Sequence, residues 1–453
     1  MAGRWAKLEN YRVIVRLAIP IILANASVPL LGLADTAAIG RTATARELGA
    51  IALGALVFSF VYWSFGFLRM GTTGFIAQAA GARDDQEARL ALTRALLLGL
   101  GIGVVLVLFQ SGICWAALRL LSASDEVSEL VKRYFFIRIW GAPATLATFA
   151  LLGALIGLGH TRKLLITQLF LNGVNVCLNL FFVFELKMGV EGIALGTLIA
   201  EWAAFGLALW LVLRSLHFNL FRFLRKSRAD VLRKGPLLGM LKTNSDIMIR
   251  TLALLGGFAW FTNQGAKFGD ATLAANHVLL QFVSLSAFFL DGFAYVVEML
   301  TGRALGAKDR SRFIRDVKNA TQLAGGTALL LALMVWTFGR PAISFLTRDA
   351  GVQEIAGQHL SYAAIYIAIS FFAFQLDGVF IGAIRSREMR NASIASLLLF
   401  IGLEIVLTSW THNNGLWLAF IAYVFIRGIT LYLYLPRLME SFRKPSENTI
   451  SSS

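Results

Sequence analysis

Apolar runs of about 20 residues recur from Val13 to the C-terminal region of this chain, with short polar joints between them. A helix of about 20 residues crosses roughly 30 Å of hydrocarbon, so these runs predict transmembrane helices. The composition agrees, because 57% of the residues are hydrophobic and only 15% are charged. The twelve predicted spans cover residues 13–39, 47–70, 91–114, 132–156, 163–184, 189–213, 240–262, 272–299, 319–338, 354–382, 391–410 and 415–435.

The formal net charge of +16 raises the question of nucleic-acid binding. With the N-terminus in the cytoplasm, most Lys and Arg residues fall on the cytoplasmic side, as in other multi-pass membrane proteins. The segment richest in Lys and Arg, residues 214–242, can lie along an anionic lipid surface. The sequence contains no recognisable nucleic-acid reading module. We therefore expect a bacterial cytoplasmic (inner) membrane protein with both termini in the cytoplasm, in contact with membrane lipids and not with nucleic acid.

The chain repeats itself at corresponding positions of its two halves. Gly81-Ala-Arg-Asp84 follows the second span and Gly306-Ala-Lys-Asp309 follows the eighth, and Ile156-Gly157 matches Ile381-Gly382 farther on. Ordered matches of this kind predict an all-α integral membrane fold with twelve transmembrane helices in two pseudo-symmetric six-helix lobes around a central cleft. The predicted parts are an N-terminal lobe at 1–215, a basic cytoplasmic connector at 216–239, and a C-terminal lobe with a short polar tail at 240–453.

Two parallel bundles favour transport by alternating access over catalysis. There is no P-loop of the form GxxxxGK[ST], and Gly99, Gly101 and Gly103 lie inside the third span, where glycines serve helix packing. An ion gradient is therefore the expected energy source, without any cofactor. An integral-membrane enzyme that uses Glu201 or Asp291 as acid or base is the alternative from a different class, but no nucleophile and base pair accompanies them.

Acidic residues within the spans are candidate functional sites, because an ionised carboxylate in the bilayer core must be protonated, paired or hydrated. Asp35 lies in the first span, about four turns after Pro20. Proline removes a backbone hydrogen bond and makes a bend feasible. We expect Asp35 to bind a proton or cation and its charge to control the shape of this helix; a structural residue near the helix end is the other interpretation.

A polar face is predicted on the fifth span. Asn172, Asn175 and Asn179 are three and four residues apart, so their amides share one helix face. Thr197 in the sixth span adds a hydroxyl. Amide, hydroxyl and carboxylate oxygens suit Na⁺, and the same groups could hold a protonatable Asp35. Interhelical hydrogen bonding is the structural alternative.

A second acidic patch is predicted on the eighth span, where Asp291, Tyr295 and Glu298 share a face that could attract a proton or a cationic substrate. Glu298 could instead be solvated near the cytoplasmic end. Glu201 is a further proton or substrate candidate, or the partner of a basic residue, as are Asp377 and Glu404. The basic candidates for such pairs are Arg69, Arg138, Arg250 and Arg427.

The run Leu17-Ala-Ile-Pro20, with Val28-Pro-Leu-Leu-Gly-Leu-Ala-Asp35-Thr-Ala-Ala-Ile-Gly40, resembles the multidrug and toxic compound extrusion family, and its DinF branch in particular. The run from Asp291 to Glu298 is similar to the same branch, and the likeness extends over essentially the whole chain. It implies two six-helix lobes that export cationic or amphipathic compounds in exchange for H⁺ or Na⁺. It also implies ion coupling at Asp35, with Asn175, Asn179 and Thr197 as accompanying positions.

Several relatives have Asp where this chain has Asn179, and the lost carboxylate favours H⁺ over Na⁺. We therefore expect a monomeric H⁺-coupled exporter of small-molecule drugs or toxic metabolites, with no resident metal, in which protonation of Asp35 bends the first helix at Pro20. A Na⁺-coupled antiporter and a flippase of lipid-linked precursors are the alternatives within transport.

Overall fold

A computed structural model describes the backbone of residues 2–39, 45–120 and 124–442 and the side chains of residues 10–28, 46–119 and 124–442. All regular structure in these ranges is helical. The α-helices there are α1 (Ala2–Ile39), α2 (Ala45–Ser64), α3 (Phe67–Gly81), α4 (Asp85–Leu108), α5 (Gln110–Leu120), α6 (Asp125–Arg138), α7 (Ala142–Gly157), α8 (Thr161–Leu180), α9 (Gly189–Leu216), α10 (Leu220–Val231), α11 (Lys234–Ala266), α12 (Asp270–Gly306), α13 (Arg310–Leu346), α14 (Ala350–Gly382), α15 (Ser386–Thr411) and α16 (Asn413–Glu440).

Each predicted span coincides with one helix or with two consecutive helices. The second, third and fourth spans are divided into α2 and α3, α4 and α5, and α6 and α7. Among the described residues, 11 helical segments are long and apolar enough to cross a membrane. The seventh predicted span lies in α11, a continuous helix of 33 residues that is not among these 11 segments. It is more polar than the other spans and carries the charged residues Asp246 and Arg250. The connector predicted at 216–239 contains the short helix α10.

The two repeated tetrapeptides adopt the same local structure. Arg83 and Lys308 both have left-handed backbones, with φ of 57° and 55°. The aspartate that follows each of them caps the next helix: Asp84 accepts the backbone N–H of Glu87 at 2.9 Å, and Asp309 accepts that of Arg312 at 2.9 Å. The sequence repeat therefore encodes one turn used twice, at the entry to α4 and to α13.

The described residues pack into two compact units. The first unit comprises residues 23–76 and 84–241, and the second comprises residues 2–22, 77–83 and 242–442. The lobe boundaries drawn from the sequence stay a prediction.

Small residues allow close helix packing in the first unit. A Cβ at Gly99 would lie 2.9 Å from the carbonyl oxygen of Leu146, and one at Gly103 would overlap the backbone of Pro143, both on α7. Gly101, in contrast, has nothing within 4 Å of a Cβ. Gly99 and Gly103 therefore serve helix packing, as predicted, and bring α4 against α7.

Aromatic side chains fill the core of the second unit. The ring of Phe420 on α16 lies 4.4 Å from that of Phe261 on α11 and 4.7 Å from that of Tyr366 on α14, measured between centroids. Phe400 on α15 stacks at 5.0 Å on Tyr423. Interdigitated rings of this size fix the positions of α11, α14, α15 and α16, which carry the buried charges described below.

Candidate functional site

Two asparagines of α8, Asn175 and Asn179, form a connected polar ladder with Thr197 of α9 in the first unit. Asn179 donates from Nδ2 to Oδ1 of Asn175 at 3.1 Å, and Asn175 donates from Nδ2 to the Thr197 hydroxyl on α9 at 2.9 Å. The Thr197 hydroxyl in turn donates to the carbonyl oxygen of Ile193 at 2.9 Å. Asn175 and Asn179 are 4% and 3% exposed. The predicted polar face is therefore a buried, ordered chain of hydrogen bonds between α8 and α9.

The third asparagine of α8, Asn172, contacts α1 instead. Asn172 donates from Nδ2 to the hydroxyl of Ser27 at 2.7 Å, and Ser27 in turn donates to the carbonyl oxygen of Ala24 at 2.7 Å. This contact was not predicted, because a serine in an apolar span gives no periodic signal. α8 also ends unusually: residues Phe181–Glu185 form a π-helical turn, a widened geometry often found at functional sites.

Two predicted site residues lie on α1. Pro20 is buried within this helix, which is continuous in its backbone from Ala2 to Ile39. Its missing N–H leaves the carbonyl of Arg16 without the usual helical partner. The side chain of Asp35 lies outside the described residues, so its role as the ion-coupling group stays a prediction.

Glu201 has a basic partner in the same unit. Its Oε1 lies 3.7 Å from Nη2 of Arg138, with side-chain exposures of 8% and 16%. Arg138 donates from Nη1 to the hydroxyl of Tyr134 at 2.8 Å and stacks over the ring of Phe58 at 4.6 Å. The pairing of Glu201 with one of the four named arginines is therefore present. Glu201 is also one helical turn from Thr197, which brings a second acid close to the ladder.

The second unit contains a three-member buried charge cluster. Arg250 on α11 donates from Nη2 to Oδ2 of Asp377 on α14 at 2.6 Å, and Nη2 of Arg427 on α16 approaches the same oxygen at 3.7 Å. All three side chains are 8% exposed or less. Two guanidinium groups hold Asp377 as a fixed counter-ion. Glu404, in contrast, accepts from Nε1 of Trp260 at 3.1 Å.

The acidic patch of α12 is less exposed than its position suggested. Asp291 and Tyr295 are half-buried. Glu298 is 1% exposed. The interpretation of Glu298 as a solvated end-of-helix residue is therefore wrong, because the close packing of α12 against α14 buries it, with the Glu298 carbonyl against Gly382.

Two polar clusters in the second unit were missed from the sequence. Asp246 accepts from Nη1 of Arg390 at 2.6 Å and from the Ser386 hydroxyl at 3.0 Å. Asn276 and Asn413 exchange two hydrogen bonds of 2.8 and 3.1 Å. In both clusters the bonded residues are more than a hundred positions apart in sequence, so no local sequence pattern predicts these contacts. In the described ranges, no three His, Cys, Asp or Glu side chains are gathered as ligands for a metal ion.

Comparison with known proteins is informative over most of the chain. The MatE family model matches twice, at residues 20–181 and 247–407. DNA damage-inducible protein F of Escherichia coli is 37% identical over 418 residues, which cover 92% of this chain and 90% of that protein. A probable multidrug resistance protein NorM of Chromobacterium violaceum is 26% identical and covers 96% of each chain.

Solved structures give the same result for the fold. The Vibrio cholerae MATE transporter VcmN in its bent form matches with a TM-score of 0.85 and 20% identity, over 96% of this chain and 98% of that one. A MOP superfamily transporter of Pyrococcus furiosus matches with a TM-score of 0.85 and 21% identity, over 96% and 97%. The predicted twelve-helix, all-α membrane fold and the predicted family are thereby confirmed. The chain is a multi-pass membrane protein that belongs to the MatE family of transporters.

Proposed function

We propose that this protein is a secondary active exporter of the bacterial cytoplasmic membrane. It acts as a monomer and exchanges cationic or amphipathic compounds for H⁺. The closely similar relatives include probable multidrug resistance proteins, which supports small toxic molecules as substrates. The described residues contain a buried polar network and paired buried acids in membrane-spanning helices, an arrangement typical of ion pathways.

The observation that carries H⁺ coupling is the neutral character of the ladder, because Asn175, Asn179 and Thr197 supply no carboxylate. Oδ1 of Asn175 accepts from Asn179, and the hydroxyl of Thr197 accepts from Asn175. A Na⁺ ion would find only neutral amide and hydroxyl oxygens on these three residues as ligands. The network is therefore better suited to hold a neutral, protonated carboxyl than to coordinate a bare cation.

The proposed moving part is α1. Asn172 ties this helix to α8 through the Ser27 hydroxyl at 2.7 Å. Protonation of Asp35 removes its charge and lets α1 bend at Pro20, where a backbone hydrogen bond is already missing. Known MATE structures include one in a bent form and one in a straight conformation, which supports a change of shape.

The substrate would be attracted by acidic groups on α12. Asp291 and Tyr295 are half-buried, and a carboxylate beside a phenol ring offers both a counter-charge and a π face to an aromatic cation. Glu298 and Glu201 are more deeply buried at 1% and 8% exposure. We therefore assign Glu298 and Glu201 to proton exchange or to a structural role, and not to contact with the substrate.

The test is transport of a fluorescent cationic drug in proteoliposomes with a proton gradient alone and with a sodium gradient alone. We expect transport only with the proton gradient, loss of transport in Asp35→Asn, and full transport in the control Asp125→Asn, which changes an exposed acid of α6. Transport driven only by sodium would overturn the proton mechanism and make Asp35, Asn175 and Thr197 a cation site. Full transport by Asp35→Asn would exclude Asp35 as the coupling group.

A further inference from the structure

The corner between α9 and α10 is held in place by two arginines of α4, the half-buried Arg89 and the buried Arg94. His217 ends α9 with a left-handed backbone, φ 51°, and Arg89 donates from Nε and Nη2 to the carbonyl oxygen of Leu216 at 3.2 and 3.0 Å. Asn219 then caps α10 by accepting the N–H of Arg222 at 3.1 Å. The start of α10 therefore has a fixed position relative to the end of α9.

Arg94 of α4 fixes the other end of α10. It is 4% exposed and donates to the carbonyl oxygens of Asp230 and Val231 at 2.8 and 3.2 Å and to Glu87 at 2.9 Å. These carbonyls are terminal ones that no residue of α10 can satisfy. Arg94 therefore docks the C-terminal end of α10 against α4.

An apolar groove lies at this corner. Its volume is about 530 Å³, and it is lined by Leu209 and Leu213 of α9, Phe218 of the loop, and Leu220 and Phe221 of α10. Phe221 is 84% exposed. An open apolar groove at the end of a membrane-spanning helix is suited to bind a hydrocarbon chain.

The outer face of α10 is strongly basic. Arg222, Arg225, Lys226 and Arg228 are all exposed, and Asp230 is the sole acidic residue between positions 214 and 242 of the sequence. Arginine pairs with phosphate oxygens in a bidentate geometry, and basic helices at the membrane surface attract anionic lipids. The groove and the basic side chains are neighbours, because Leu220 and Phe221 line the groove at the start of α10 and Arg222 lies in the same first turn of that helix.

The geometry points to a binding site for one anionic phospholipid at the α9–α10 corner, with an acyl chain in the apolar groove and the phosphate group on the basic face of α10. An anion such as free phosphate would use the basic face and leave the groove empty. A nucleic acid would likewise have no use for a groove lined by leucine and phenylalanine. The phospholipid is the ligand that matches both surfaces at once.

Binding is measured by native mass spectrometry on the full-length protein in detergent, with phosphatidylglycerol and phosphatidylcholine of identical acyl chains. We expect tighter binding of phosphatidylglycerol. The triple variant Arg222→Gln, Arg225→Gln, Lys226→Gln should lose affinity on the order of a hundredfold, from roughly fivefold per charge. The control triple Lys308→Gln, Arg310→Gln, Lys318→Gln removes the same charge from exposed residues elsewhere and should bind as the parent does.

The groove has its own variant. Leu213→Trp fills it without changing charge and should weaken binding of both lipids, while circular dichroism and size-exclusion profiles report that the protein remains folded. Equal loss in the two triple variants would overturn the site, since net charge alone would explain it. Displacement of phosphatidylglycerol by millimolar inorganic phosphate or by a short DNA duplex, or undiminished binding by Leu213→Trp, would overturn the lipid assignment.

Discussion

Asp377→Asn tests the buried charge cluster of the second unit. The substitution keeps the size of the side chain and removes its charge. Arg250 and Arg427 then lose the carboxylate oxygen that lies 2.6 and 3.7 Å from their Nη2 atoms. Neither arginine can deprotonate, so both charges stay buried without a counter-ion at this position.

The magnitude follows from burial. Removing one partner of a buried ion pair costs about 3–5 kcal/mol, because the remaining charge is uncompensated. The matched control is Glu126→Gln, which breaks the pair of Glu126 with Arg46 at 2.6 Å, where both side chains are more than 60% exposed. An exposed pair contributes about 0–1 kcal/mol. The two substitutions delete the same charge and differ in burial.

The assay is equilibrium unfolding of the purified protein in mixed micelles, monitored by tryptophan fluorescence. We expect Asp377→Asn to lower the free energy of unfolding by about 3–5 kcal/mol and Glu126→Gln to leave it within about 1 kcal/mol. Adding Arg250→Met to Asp377→Asn should recover part of the loss, because it removes one of the two stranded charges. A loss below about 1 kcal/mol for Asp377→Asn would refute the account, since the arginines would then be solvated.

Three further predictions concern packing, capping and the connector. Gly306→Val should destabilise the protein by about 1–3 kcal/mol, because its Cβ would overlap a neighbouring backbone, whereas Gly101→Ala should be neutral or slightly stabilising in the same unfolding assay. The N–H of Arg312 holds the pKa of Asp309 below its usual range, so this helix cap is present at neutral pH and is lost as pH falls through that lowered pKa. The protection factor of the Arg312 amide, which is its exchange rate relative to the intrinsic rate at the same pH, should fall in acid, but not in Asp309→Asn. Arg94→Gln should release the end of α10 and speed trypsin cleavage within the connector, and a cleavage rate equal to the parent's would contradict the anchoring role.

The positions of the helices were predictable because span length and repeated turns are local properties of the sequence. The asparagine face of α8 was predictable for the same reason, since spacings of three and four residues place side chains on one side of a helix. The breaks between α2 and α3 and between α4 and α5 were not predicted. They fall inside continuous apolar stretches, where composition gives no signal.

Tertiary pairing was only partly predictable. Arg138, Arg250 and Arg427, three of the four candidate partners, do pair with a buried acid. The sequence could not match Arg250 with Asp377, which is 127 positions away. Arg94 was missed altogether as an anchor, because its role is visible only once α10 is docked against α4. A charged residue in a membrane span predicts that a partner is present, but the identity of the partner depends on the tertiary packing of the helices.

The proposed mechanism couples drug binding to the loss of a proton from one group, Asp35. Its most direct test adds a cationic drug to purified protein in weakly buffered detergent solution and records the pH. We predict proton release on drug binding by the parent protein and none by Asp35→Asn, with no dependence on sodium. Drug binding without proton release, or a release that Asp35→Asn retains in full, would contradict the claim.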